Sequence, residues 1–162
     1  MDHSIRPARR EDAPFLADML VDAANWNWTS ARTRIDVLED ESTRRYVAGW
    51  PRPGDLGSVA ETVDGERIGA CWFRLFSAAS PGRGFIAAGV PELTLGVRPV
   101  WRAQGIGRGL LRAALDQART AGYARVSLNV STDNFARRLY RSEGFSAVAD
   151  RGDAETMVAT LR

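Results

Sequence analysis

The sequence predicts a mixed α/β fold in one domain, residues 1–162, and three observations carry that prediction. Glu92–Val97 alternates, with Leu93, Leu95 and Val97 on one face, as a strand does. Ile106, Leu110, Leu111, Ala114, Leu115, Ala118 and Ala121 then recur at helical spacing. Two further strand stretches, 58–63 and 67–75, are joined by Asp64-Gly65, a hairpin turn. Read along the chain, the order is β-α-α-β-β-β-α-β-α-β-β.

Ser4-Ile5-Arg6-Pro7-Ala8 is a short first strand stopped by Pro7. Glu11 and Asp12 open a helix in which Phe15, Leu16, Met19, Leu20 and Ala23 form the inner stripe. A second, more polar helical stretch runs from about Ser30 to Val47, with Ile35, Leu38 and Tyr46 inward. The hairpin follows the loop Trp50–Asp55, and a loop rich in Gly, Ala and Ser, 78–89, leads into Glu92–Val97. Gly122 caps the long helix, Arg125–Val130 is a strand, and a short helix from about Asn134 to Glu143 carries Phe135, Ala136, Leu139 and Tyr140 on one side. Phe145–Ala149 and Thr156–Leu161 close the chain as a hairpin around Arg151-Gly152-Asp153.

Composition narrows the chemistry. The chain is 44% hydrophobic and 26% charged, as ordinary globular proteins are. No apolar run approaches the roughly 18 residues of a membrane helix, and no signal-like segment opens the chain, so a cytoplasmic protein is expected. Cys71 is the only cysteine and lies in an apolar run, where it reads as a small core residue. His3 is the only histidine, so Ser-His-Asp, Cys-His and histidine-based metal sites are poorly supported, and no metal is expected. All 22 basic residues are arginine, which excludes a Schiff-base lysine and a lysine-dependent phosphate loop. A net charge of +2 gives no case for nucleic acid. Residues 90–162 nevertheless carry 11 Arg against 7 acids, whereas 1–89 carry 11 against 13, so the positive half is the one with the glycine loop.

That loop, Arg102 to Gly107, joins a strand to a helix whose first N–H groups have no partner within the helix. With the helix dipole and nearby arginines, it suits a phosphate. A dinucleotide site asks for Gly-x-Gly-x-x-Gly, and here Gly109 comes one position early, while the next strand ends Asn129-Val130 with no acid.

Arg102-Ala103-Gln104-Gly105-Ile106-Gly107 resembles the Arg/Gln-x-x-Gly-x-Gly/Ala signature of the GNAT superfamily of N-acetyltransferases. Asn134, Ala136, Tyr140 and Gly144-Phe145 resemble that family's second segment. The resemblance covers most of the chain, its specific part being about 90–148, and implies a mainly antiparallel, splayed sheet. It implies acetyl-CoA as cosubstrate, its pyrophosphate cradled by Arg102, Ala103, Gln104, Gly105, Ile106 and Gly107 with Arg108 close by. The pantetheine arm is implied beside Leu95 and Val97, with the Val97 N–H facing the developing oxyanion, and Gly96 as a bulge opening a slot. Tyr140 is implied as acid to the leaving thiolate, and Asn134 as a helix cap, a cofactor contact, or both. Glu92 is the candidate base toward the acceptor amine, with a water relay as the alternative, since a bulge at Gly96 would alter the strand's register. Trp26, Trp28 and Phe85 line the expected acceptor groove or serve as core or dimer contacts. The expected reaction is direct acetyl transfer to a primary amine of a small molecule or peptide, without a membrane or nucleic-acid partner. The alternative is a sensor that holds acyl-CoA without turnover, and a homodimer stays open.

Overall fold

The computed structural model describes residues 2–25 and 32–161. The strands are β1 (His3–Pro7), β2 (Leu56–Thr62), β3 (Arg67–Arg74), β4 (Glu92–Val97), β5 (Arg125–Ser131), β6 (Phe145–Asp150) and β7 (Ala154–Thr160). The helices are α1 (Ala13–Ala24), α2 (Arg34–Glu39), α3 (Glu41–Arg44), α4 (Ile106–Thr120) and α5 (Ala136–Ser142). This is the expected order with one change in the second helical stretch.

That stretch is broken. Asp40 takes an extended backbone (φ −72°, ψ 110°), and its carboxylate accepts the Ser42 N–H at 3.0 Å, so it caps α3 instead of continuing α2. Thr33 caps α2 through the Asp36 N–H at 3.1 Å. Val37 is buried while Ile35 is 67% exposed, which rotates the inner face away from the one that unbroken spacing predicts.

The contacts divide the chain into two compact units. The first comprises Met1–Trp72 and Thr94–Ala114. Its strands run β1-β2-β3-β4, with β1 antiparallel to β2 and Ile5 opposite Ala60. Phe15, Leu16, Met19 and Leu20 of α1 and Ile106, Leu110 and Leu111 of α4 are buried with Val59, Ile68 and Trp72. Gly96 has a packing reason: a Cβ there would meet the Met19 carbonyl oxygen at 2.7 Å, so glycine lets α1 lie directly against β4. At the start of the chain, Asp12 is fully buried. Its carboxylate accepts both Arg6 Nη groups (2.9 Å each), Arg67 Nε (2.8 Å) and the Arg9 N–H (2.7 Å), tying β1, β3 and the entry to α1 together.

The second unit comprises Phe73–Leu93 and Leu115–Arg162, with strand order β4-β5-β7-β6. β5 and β6 flank β7 antiparallel, and β6 shifts register between Ala147 and Ala149. β4 is parallel to β5, their register marked at Glu92 opposite Ser127. Val126, Leu128 and Val130 of β5 are buried with Phe145, Met157 and Ala159, and Phe73 packs edge-on to Tyr123 at 5.8 Å.

Candidate functional site

In the first unit, β4 ends into a 3-10 turn, Pro99–Trp101, before the chain enters the glycine loop. Arg98 N–H still bonds Ile68 O (2.9 Å), so the ladder to β3 outlasts the strand by one residue. Two loop residues then adopt left-handed backbone, Ala103 at φ +61° and Gly105 at φ +83°. Such residues turn successive peptide N–H groups toward one side, the geometry of an anion-binding nest. Gly109 N–H reaches Gly105 O at 3.2 Å and closes the first turn of α4. The first N–H groups of α4, those of Ile106 and Gly107, lie at the positive end of its dipole, ahead of the first bond within the helix. A Cβ placed on Gly105 would meet nothing within 4 Å, so the turn itself is uncrowded.

The arginines nearby divide their roles. Arg102 is bound backward: Nε donates to Val97 O (3.1 Å) and an Nη to Asp22 O (3.5 Å), joining the ends of β4 and α1. Its guanidinium thus holds the loop's base. Gln104 bonds Val100 O at 3.3 Å, and Arg108 is half-buried on the first turn of α4. Arg98 lies 5.3 Å over the Phe15 ring and within 3.9 Å of Asp22. Burial raises the Asp22 carboxyl above its usual range, against the opposing pull of Arg98 and Arg102. Leu95 and Val97 are half-buried on β4.

In the second unit, Glu92 is 3% exposed at the start of β4, and its Oε1 accepts the Gly84 N–H at 3.0 Å. The 77–91 loop wraps it closely: a Cβ on Gly82 would stand 2.3 Å from Glu92 Oε1, and one on Gly84 2.7 Å from the Leu128 carbonyl carbon. Tyr140 is buried on α5 and packs edge-on to Phe145 at 5.8 Å. Glu155 of β7 pairs with Arg137 and Arg141, which flank Tyr140 on the same short helix. Asn134 accepts the Ala136 N–H at 2.9 Å, a bond of the capping type, while Phe135, expected on the buried side, is 82% exposed because α5 begins after it. Phe85 is half-buried in the 77–91 loop, whereas Trp26 and Trp28 lie outside the described residues.

Leu95, Val97 and 102–108 thus belong to the first unit, and Phe85, Glu92, Asn134 and Tyr140 to the second. Cys71 is fully buried and burial pushes its thiol far up, which suits a core residue and not a nucleophile. Among the described residues, no group of three or more His, Cys, Asp or Glu could hold a metal, and no helix is long and apolar enough to cross a membrane. Sequence reasoning passes over Arg74 and Ser127, 1% and 0% exposed. An arginine closing the apolar run Ile68–Phe73 reads as a strand end reaching solvent, so only its burial reveals it.

Comparison with known proteins bears on the same segments. The pattern of the acetyltransferase (GNAT) family matches residues 17–145, a span that runs through both units. The chain is 36% identical over 114 residues to a mycothiol acetyltransferase of Beutenbergia cavernae, covering 70% of this chain and 35% of that protein. It is 51% identical over 59 residues to the N-alpha-acetyltransferase RimI of Mycobacterium tuberculosis, covering 36% of this chain and 35% of the relative. The chain spans little more than a third of the length of the curated relatives it matches (35% and 39% of the two mycothiol acetyltransferases). Its fold is that of the PaiA N-acetyltransferase of Thermoplasma acidophilum, crystallised with coenzyme A, at TM-score 0.71, 20% identity and 99% coverage of both chains. A ribosomal-protein-alanine N-acetyltransferase from Brucella melitensis aligns at TM-score 0.64 and 26% identity, over 97% of this chain and 99% of its own.

Proposed function

The chain belongs to the GNAT family of acetyltransferases, and on that premise we propose that it moves the acetyl group of acetyl-CoA to a primary amine by direct attack. The observation that carries this reading is the turn into α4. Ala103 and Gly105 in left-handed backbone, open space before Gly105 and the free end of a 15-residue helix make a cradle for a pyrophosphate. The backbone of Arg102–Gly107 holds it, with Arg108 adding charge from the first helical turn.

The remaining assignments follow from the chemistry of the transfer. Val97 N–H donates to the thioester oxygen as the amine adds to the carbonyl carbon and the oxygen gains charge. Tyr140 then gives its phenolic proton to the departing CoA sulfur, a transfer from a group near pKa ~10 to a thiolate whose acid is near ~8.5. Glu92 takes the proton that the amine must lose, directly or through water. An alkylammonium of pKa ~10.4 is neutral in only about one molecule in 2,500 at pH 7, so this step gives the carboxylate its use. Asn134 steadies the start of α5, where Tyr140 resides. Leu95 and Val97 offer strand backbone to the pantetheine amides, and Phe85, Trp26 and Trp28 are assigned to the acceptor side. Acetyl-CoA being a cytoplasmic metabolite, the reading places the enzyme in the cytoplasm.

The test is release of free thiol from acetyl-CoA with an amine panel of small primary amines and, after the N-alpha-acetyltransferase relative, peptide α-amines. Amine-dependent thiol release supports the transferase. CoA binding with no turnover on any amine would make the protein an acyl-CoA sensor. Tyr140→Phe is expected to lower kcat with KM for acetyl-CoA held, whereas equal loss of both would make Tyr140 a packing residue.

A further inference from the structure

A buried polar row crosses the second unit. β3 and β4 are neighbouring strands tied by the Arg98 N–H to Ile68 O bond, and an antiparallel ladder carried on from that bond in even register sets Arg74, the last residue of β3, opposite Glu92, the first of β4. Glu92 in turn stands opposite Ser127 of β5. Residues directly opposite one another on neighbouring strands share a face of the sheet, so a guanidinium, a carboxylate and a hydroxyl follow one another across three strands. All three are buried, at 1%, 3% and 0% exposure.

A buried charge without a counter-charge is costly enough to change its protonation state. Arginine does not lose its proton in proteins, so the compensation at this place falls on the carboxylate. We propose that Arg74 is a positioning residue for the reaction: it pairs with Glu92, holds that carboxylate ionised and fixes its direction within the row. The Gly84 N–H on Oε1 is the second support for the anion. The groups around Glu92 leave Arg74 as the buried cation. The 77–91 loop brings Arg83, whose side chain is exposed, between Gly82 and Gly84. On the same face β5 brings Ser127, flanked by exposed Arg125 and by Asn129, and β7 brings Val158 opposite Ser127. Ser127 Oγ is buried without a hydrogen-bond partner and offers the row a further polar contact beside the carboxylate.

The inference rests on Glu92 being the base, and two measurements keep the claims separable. The first is kcat against pH at saturating substrates for the wild type, Arg74→Met, Arg74→Lys and Glu92→Gln. Loss of the cation favours the protonated carboxyl, so Arg74→Met is expected to move the acidic limb upward by about one to three pH units while KM for acetyl-CoA stays put. Arg74→Lys is expected to bring the limb most of the way back. An Arg74→Met limb at the wild-type position overturns the proposal. The second is thermal unfolding of both single variants and the double variant Arg74→Met/Glu92→Gln. A pair predicts that the double variant is no less stable than Arg74→Met alone; additive losses overturn the proposal. If Arg74→Met does not fold, the paired reading requires the double variant to fold, and failure of both counts against it. If Glu92→Gln leaves kcat and its pH profile unchanged, Glu92 is not the base, and the unfolding cycle still decides whether the two residues are paired.

Discussion

Replacing Gly105 with alanine separates the loop's role in the fold from its role toward a phosphate. The glycine is required by conformation, φ +83°, and not by crowding, because an added Cβ meets nothing within 4 Å. The expected structural cost is the left-handed strain of one non-glycine residue, about 1–2 kcal/mol. For a chain of 162 residues that corresponds to a fall in Tm of roughly 2–8 °C. The ligand cost is a different quantity. The new methyl group enters open space at the proposed cradle, where a phosphate oxygen would take charge-assisted bonds worth about 1.5–3 kcal/mol each. Loss of one such bond weakens CoA binding about 10- to 150-fold. Calorimetry with CoA, beside thermal unfolding of the unliganded protein, measures both. Gly57→Ala is the control: its Cβ would meet Trp72 Cβ at 2.6 Å and Cys71 O at 2.7 Å, a clash within the fold and away from the loop. That variant is expected to lose stability while its folded fraction binds CoA normally. Unchanged CoA affinity in Gly105→Ala, with Tm lowered as calculated, would refute the assignment of the phosphates to this turn.

Two further substitutions test the charges of the first unit. Asp12→Ala leaves Arg6 without its buried carboxylate, and removing one partner of such a pair costs about 3–5 kcal/mol, a fall of roughly 6–20 °C in Tm by thermal unfolding. In Asp12, burial works to raise the carboxyl, and the hydrogen bonds from Arg6, Arg9 N–H and Arg67 more than reverse it, so the folded value lies below the unfolded one. The stabilisation is thus complete above the unfolded value and is lost as pH falls through the folded one, which acid unfolding of wild type and variant will show as converging curves. Asp22 has the opposite sign: burial raises its folded value, so ionisation lowers stability as pH rises through that value. Asp22→Asn is expected to raise Tm at pH 7 and flatten its dependence across the range above the ordinary carboxylate value. A lower Tm would mean that attraction to Arg98 and Arg102 outweighs desolvation.

What can be read from sequence divides at the glycines. Gly65, Gly105 and Gly122 are glycine because their own backbone is left-handed (φ +86°, +83° and +92°), a local demand that appears in the residues beside them, so the turn at Gly65 and the helix cap at Gly122 are legible from the sequence. Gly82, Gly84 and Gly96 are glycine because Glu92, Leu128 and Met19, distant in sequence by 10, 44 and 77 positions, come within touching distance. Nothing in their neighbourhood announces that: the sequence suggests a bulge at Gly96, and only the fold shows the backbone of α1 lying against it. Helix breaks follow the same division: Asp40 capping Ser42 is a local signal that apolar periodicity alone overlooks, since Ile35 and Leu38 fit a continuous helix equally well. The site inherits this split. The proposed phosphate loop lies within one segment, so Arg102 through Gly107 can be named as a candidate from the sequence alone. The acid–base side depends on strand register, and Glu92 and Ser127, with Arg74 in the proposed pairing, come from three strands that begin 25 and 33 residues apart. A carboxylate on a strand could therefore be named as a candidate base from the sequence, while the arginine proposed to keep it charged could be found only from the sheet.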